Sequence, residues 1–208
     1  MKKTLIITGA SAGIGFSIAE YFLTKGFDVV NLSRTKPLLK SVKHFSVDLS
    51  CLEDLDKVLP ELFSYIKHST QITLVHNAFS YCSDSVSNFN EKLIEKSFKV
   101  AVLAPMKLNH ALLPLMGNGS SVLFIGSTLS EKAVPGVMSY SVLKHATVGL
   151  MKSFAQDIIT HNKVHTACIC PGFTRTKMLE DHLERQNSLE SVTEKVLLKR
   201  LLEPKEIS

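Results

Sequence analysis

The 208-residue chain has little cysteine, no apolar run of membrane-spanning length and no stripe of basic residues. Its four cysteines, Cys51, Cys82, Cys168 and Cys170, form no C-x-x-C pair and lack the density of a disulfide-built secreted domain, so a reducing, cytoplasmic location is expected. Cys168 and Cys170 would share one face of a strand, but with no second ligand pair nearby they read as two small buried side chains, and no metal site is expected. The run Leu5-Ile6-Ile7 behind Lys2-Lys3 stops at Thr8-Gly9, short of a signal-peptide core, and no other run suits a transmembrane helix. The 24 basic and 19 acidic residues leave a charge of +5, but the basic residues are scattered and not interleaved with aromatics. A nucleic-acid partner is therefore not expected. Without repeats, low-complexity tracts or a linker, residues 1–208 read as one domain, long enough for a sizeable core.

What is present is a regular alternation. Apolar runs predict strands at Leu5–Thr8, Asp28–Ser33, His44–Val47, Ile72–His76, Ser121–Gly126 and Val164–Cys170. Residues at helical spacing predict helices from the first glycine turn to Gly26, over 52–66, over 89–115 with a kink at Pro105, and over 139–159. Such alternation implies an α/β fold, a doubly wound parallel sheet with helices on both faces that binds ligands at the carboxyl ends of its strands.

Two constellations carry chemistry. Thr8-Gly9-Ala10-Ser11-Ala12-Gly13-Ile14-Gly15 joins the first strand to the first helix. Its three glycines permit a tight turn that brings backbone close to a ligand, and the helix N-terminus attracts an anion such as a dinucleotide pyrophosphate. Tyr140 and Lys144 stand four apart on one helix face, where the cation is expected to stabilise the phenolate and bring the tyrosine pKa nearer neutrality. Ser127, at the end of the fifth strand, can face the same crevice and hydrogen-bond a carbonyl oxygen.

Together with Asp48-Leu49, Asn77-Ala78 and Pro171-Gly172-Phe173-Thr174-Arg175-Thr176, these residues give a sequence that resembles the short-chain dehydrogenase/reductase family from Thr4 onward. The resemblance implies a Rossmann-like sheet, a nicotinamide dinucleotide and a small carbonyl or alcohol substrate. It assigns proton donation to Tyr140, orientation of the carbonyl oxygen to Ser127, and the nicotinamide ribose to Lys144. It gives Gly9, Ser11, Ala12, Gly13, Ile14 and Gly15 to the pyrophosphate and ribose, Asp48 and Leu49 to the adenine, and Asn77 and Ala78 to the adenosine side. Pro171, Gly172, Phe173 and Thr176 would border the nicotinamide. By analogy with the family the long helix and the Tyr140 helix would mediate a homodimer or homotetramer.

Ser33-Arg34 ends the second strand where NAD-binding relatives usually carry an acid. Arg34 can pair with a 2′-phosphate and Ser33 can hydrogen-bond it, so NADP(H) is favoured and NAD(H) is possible. Ala12 stands where NADP-binding relatives often carry a basic residue, which weakens that case. The chain departs from the family in three places. His76-Asn77-Ala78-Phe79 replaces Asn-Asn-Ala-Gly, and His76 reads as hydrogen-bonded structure. Ala101 replaces an asparagine whose backbone helps hold a relay water, which implies slower turnover. After Lys199 to Ser208 the relatives continue into a further helix and seventh strand, so the sheet is expected to lack that strand and expose an edge.

Substrate choice would rest with the loops Phe79–Ser85, Leu129–Met138 and Thr174–Asn187, and Phe79, Val134, Pro135 and Met138 suggest an apolar pocket wall. The expected function is NADPH-dependent reduction of a ketone, aldehyde or 3-oxoacyl group, reversible to alcohol oxidation. The alternative is a dinucleotide-binding regulator or scaffold with little turnover.

Overall fold

All but the first residue of β1 (Lys3–Thr8) is buried. β4 (Gln71–His76) shows the same pattern, as strands covered on both faces must. With β2 (Asp28–Ser33), β3 (Val42–Ser46), β5 (Ser120–Ile125) and β6 (Val164–Ile169) they form one parallel six-stranded sheet, ordered β3-β2-β1-β4-β5-β6. The computed structural model describes residues 2–81, 83–160, 164–186, 193–194 and 196–208, and no seventh strand occurs among them. Cys82 and the Asn187 end of the expected substrate loop lie outside the described residues.

Strand order reverses between β1 and β4, where the chain crosses back from β3. The crevice at that reversal is bounded by the residues after Thr8 and His76, the position at which such sheets take ligands. On one face α2 (Leu52–Ile66), α4 (Ala104–Leu112) and α5 (Met138–Asp157) bury Leu55, Leu62, Leu108, Leu112 and Phe154 against Ile6, Leu74 and Phe124. On the other, α1 (Gly13–Thr24) buries Ile18 and Ala19 against Leu5, Ile7, Val29 and Val75.

Three expectations are corrected. The long helix predicted over 89–115 is α3 (Glu91–Phe98), a π turn over Lys99–Leu103, α4, and a 3-10 turn over Leu113–Leu115. Pro105 is the cause: it has no N–H for the carbonyl of Ala101, and Ala104 N–H reaches back five residues to Lys99. The segment after Thr174, read as loop, contains α6 (Lys177–Gln186), whose first turn is capped by Thr176 Oγ1 accepting from Leu179 N–H at 3.4 Å. Cys168 is half-buried and Cys170 exposed, because β6 pairs only with β5 among the described residues.

Candidate active site

The turn after β1 is shaped by its glycines. Gly9 and Gly13 have φ of 74° and 58°, the left-handed region. A Cβ on Gly9 would stand 3.0 Å from Ala78 Cα, and one on Gly15 would overlap Asn77 Nδ2 and Gly9 O, so the β1 and β4 ends approach closely only without side chains. At the N-terminus of α1, Ala12 supplies no capping side chain and the first turn carries no acid, whereas α2 opens with Glu53 and Asp54. Uncapped N–H groups beside a glycine cradle fit a dinucleotide phosphate.

The neighbouring expected residues are divided between cradle and scaffold. Asn77 and Ala78 N–H both donate to Thr8 Oγ1 at 3.0 Å, and the Asn77 amide donates to Thr8 O at 3.1 Å and Gly9 O at 2.9 Å. That amide braces the turn. Ser33 is buried; its hydroxyl accepts from Asn31 and donates to Thr35 O, both at 2.8 Å. Asn31 also accepts from Ala10 N–H at 2.8 Å and thereby ties β2 to the glycine turn. Arg34 stays exposed. Asp48 accepts from Ser50 N–H and Oγ at 2.9 and 2.7 Å, bonds that hold its carboxyl below the usual range with help from the Arg34 charge. Leu49 is buried. Thr176 lies across the turn, its Cγ2 3.2 Å from where a Gly13 Cβ would be. Pro171 is buried with its carbonyl accepting from Thr128 N–H at 3.0 Å, Gly172 accepts from Thr174 Oγ1 at 3.1 Å, and Phe173 is exposed.

Ser127, Tyr140 and Lys144 do converge. Ser127 is buried just past β5, and its Oγ accepts from Leu129 N–H at 3.1 Å. Tyr140 stands in the first turn of α5, where burial pushes the phenol pKa up and the bond with Ser127 pulls it down more weakly. One turn later Lys144 is buried, donates to Ile125 O at 2.8 Å, and is drawn by burial to a pKa of about 8. The expected lowering of the tyrosine by the cation is thus reversed. Lys144 Nζ lies 4.5 Å from the centre of the Phe79 ring and 5.7 Å from that of Tyr140. Phe79 and Tyr81 flank the phenol, with ring centres 5.1 and 5.6 Å away. Of the expected apolar wall, Met138 shares the first turn with Tyr140, while Val134 is 46% exposed. His76 is the structural residue expected: fully enclosed, with Nε2 2.7 Å from Asn109 Oδ1 and a pKa lowered by burial to about 4.

Asp84 has no counterpart in the sequence reading. Buried in the loop between β4 and α3, it accepts from Ser139 N–H at 2.9 Å and from the Ser139 hydroxyl, while its carbonyl accepts from Met138 N–H at 3.2 Å. It fastens the turn that carries Tyr140 from 55 residues away, a separation that leaves no local pattern.

No helix among the described residues is long and apolar enough to cross a membrane. The family model for short chain dehydrogenases matches residues 3–187. The chain is 28% identical over 210 residues to tropinone reductase-like 3 of Erythroxylum coca, spanning 96% of this chain and 80% of that protein. Its structure superposes on L-sorbose reductase from Gluconobacter frateurii, solved with NADPH and L-sorbose, at a TM-score of 0.87 and 25% identity, covering 99% of this chain and 86% of the other. A 4-hydroxyisoleucine dehydrogenase solved with NADH gives a TM-score of 0.82 at 25% identity, covering 99% and 87%.

Proposed function

The chain belongs to the short-chain dehydrogenase/reductase family of NAD(P)-dependent oxidoreductases, and on that basis we propose that it reduces a ketone, aldehyde or 3-oxoacyl group with NADPH, reversibly, through Tyr140. The observation that carries this reading is the meeting of Tyr140, Ser127 and Lys144 at the end of β5. Bound dinucleotide supplies the hydride. A phenol whose pKa is raised by burial stays protonated at neutral pH, the state needed to give a proton to a carbonyl oxygen. The Ser127 hydroxyl accepts from Leu129 N–H and hydrogen-bonds the Tyr140 phenol, so that a carbonyl oxygen entering between the two hydroxyls would be oriented by Ser127 and its developing charge stabilised.

The glycine turn, with Ser11, Ala12 and Ile14, would hold the pyrophosphate, and Lys144 the nicotinamide ribose. Arg34, exposed after β2, would pair with a 2′-phosphate, which favours NADPH. Phe79 and Met138 beside Tyr140 favour an apolar carbonyl compound. The loss of the family's asparagine at Ala101 is offset in this reading, since Pro105 sends no N–H to the Ala101 carbonyl and leaves it able to accept from a relay water.

The Phe79 ring over Lys144 favours a second reading, a dinucleotide-binding protein with little turnover. Titration with NADPH and NADH, followed by a carbonyl screen, separates the two. Expected are tighter binding of NADPH, loss of that preference in Arg34→Asp, and steady NADPH oxidation that falls about 10²-fold or more in Tyr140→Phe with binding retained. Binding of NADPH without oxidation of it by any carbonyl would favour the second reading. Binding of neither nucleotide would overturn both.

A further inference from the structure

Cys168 and Cys170 play no part in the function proposed above. Two apart near the end of β6, they project to one face, and their sulfurs are 3.8 Å apart, within reach of an S–H···S hydrogen bond. Both rest on Gly126, where a Cβ would stand 2.8 Å from each sulfur. Gly126 directly precedes Ser127, and its N–H donates to Ile169 O at 2.7 Å between the two cysteines. The charge of Lys144 reaches both sulfurs. The two are nevertheless unequal. Cys168 is half-buried, and burial together with its neighbour pushes its thiol up, so it keeps its proton; Cys170 is exposed. An exposed sulfur beside an S–H donor is placed to react, and a protonated thiol against it is placed to resolve the product.

We propose that Cys168 and Cys170 form a reversible thiol–disulfide modification site that answers to hydroperoxides and acts on the adjacent dinucleotide site. The Cys170 thiolate attacks the peroxide, breaking the O–O bond; sulfur becomes a sulfenic acid, and the departing oxygen takes a proton and leaves as water or an alcohol. The Cys168 sulfur then attacks that of Cys170, the S–O bond breaks, and the hydroxyl leaves as water with the Cys168 proton. Two thiols and one hydroperoxide thus give one disulfide, one water and one water or alcohol, with two electrons passing from sulfur to oxygen. A disulfide bond is about 2.0 Å long, so the sulfurs must close by about 1.8 Å. The strand end has to buckle to allow it, and the residues that follow are Pro171 and Gly172. That the movement weakens nicotinamide binding rests on the function proposed above; formation of the cross-link does not.

The test uses the full chain carrying Cys51→Ser and Cys82→Ser, so that only this pair can react. Hydrogen peroxide is expected to remove two hydrogens from the intact mass, to protect both cysteines from alkylation, and to lower NADPH affinity by about tenfold or more, all restored by dithiothreitol. Adding Cys168→Ala should leave a sulfenic acid on Cys170 that dimedone traps, whereas adding Cys170→Ala should abolish the reaction. Peroxide that leaves both thiols alkylatable, or that carries Cys170 to sulfinic acid without a cross-link, overturns the proposal. So does a cross-link that leaves NADPH binding unchanged. Should the reduced chain bind no dinucleotide at all, the proposed function fails while the mass and alkylation results still decide the cross-link.

Discussion

Asp84 holds Ser139 by both its N–H and its hydroxyl, and Tyr140 is the next residue. Removing the carboxylate leaves two donors of the first α5 turn unmatched, a loss of about 1.5–3 kcal/mol for each bond to a charged acceptor. Asp84→Ala is expected to lower stability by about 3 kcal/mol or more and, on the proposed role of Tyr140 as proton donor, to lower kcat for carbonyl reduction by about tenfold or more, because a small misplacement of that donor is costly. NADPH affinity should stay within about twofold, since the glycine turn is braced separately by Asn31 and Asn77. Urea titration and steady-state kinetics read these effects, and Asp84→Asn, which keeps one acceptor oxygen, should recover part of both. Equal losses in kcat and NADPH affinity would assign Asp84 to general stability alone. The glycines, Tyr140 and Lys144 are legible in sequence because their spacing is local. Asp84, Asn31 and Tyr81 are not, because each acts on a partner brought near by the fold.

Among the elements, the break between α3 and α4 joins backbone chemistry to the site. A proline at 105 marks a kink in sequence, but the π turn over Lys99–Leu103 is the form the kink takes. Pro105→Ala would restore an N–H that can bond the Ala101 carbonyl and let the helix run on. The expected result is a more stable chain with kcat about tenfold lower, a fraction of the 10²–10⁴ that general acid–base catalysis supplies, and unchanged NADPH binding. Thermal melts with single-turnover kinetics check this, and an undiminished rate would show that the Ala101 carbonyl is not used. The strands were readable to within a residue or two, since central parallel strands are continuous apolar runs. α6 was not, because its start depends on the Thr176 cap.

For the whole molecule the group to watch is His76, enclosed where the sheet meets α4. Its folded pKa of about 4 lies below its ordinary value of 6.5, so the unfolded chain binds a proton that the folded chain refuses. Stability therefore falls as pH drops from about 6.5 to about 4, by up to about 3 kcal/mol at 1.36 kcal/mol per unit, and is fully present above that window. Denaturation measured between pH 7 and 4 should show the decline in the wild type and a shallower one in His76→Gln, which cannot take up the proton. Equal slopes would place the sensitivity elsewhere.

Periodicity alone determined the alternation of strands and helices, and fixed spacing in the chain singled out the glycine turn and the Tyr140–Lys144 pair. These depend on neighbours three to six residues away, which any copy of the sequence displays. Tertiary structure decided the rest: that the Tyr140 pKa rises, that Asn77 bonds to the glycine turn and Ser33 to the Thr35 carbonyl, that Asp84 holds the helix turn carrying Tyr140, and that the two thiols at the end of β6 stand together. Burial and the choice of hydrogen-bond partner are properties of packed neighbours, and packing brings together residues tens of positions apart.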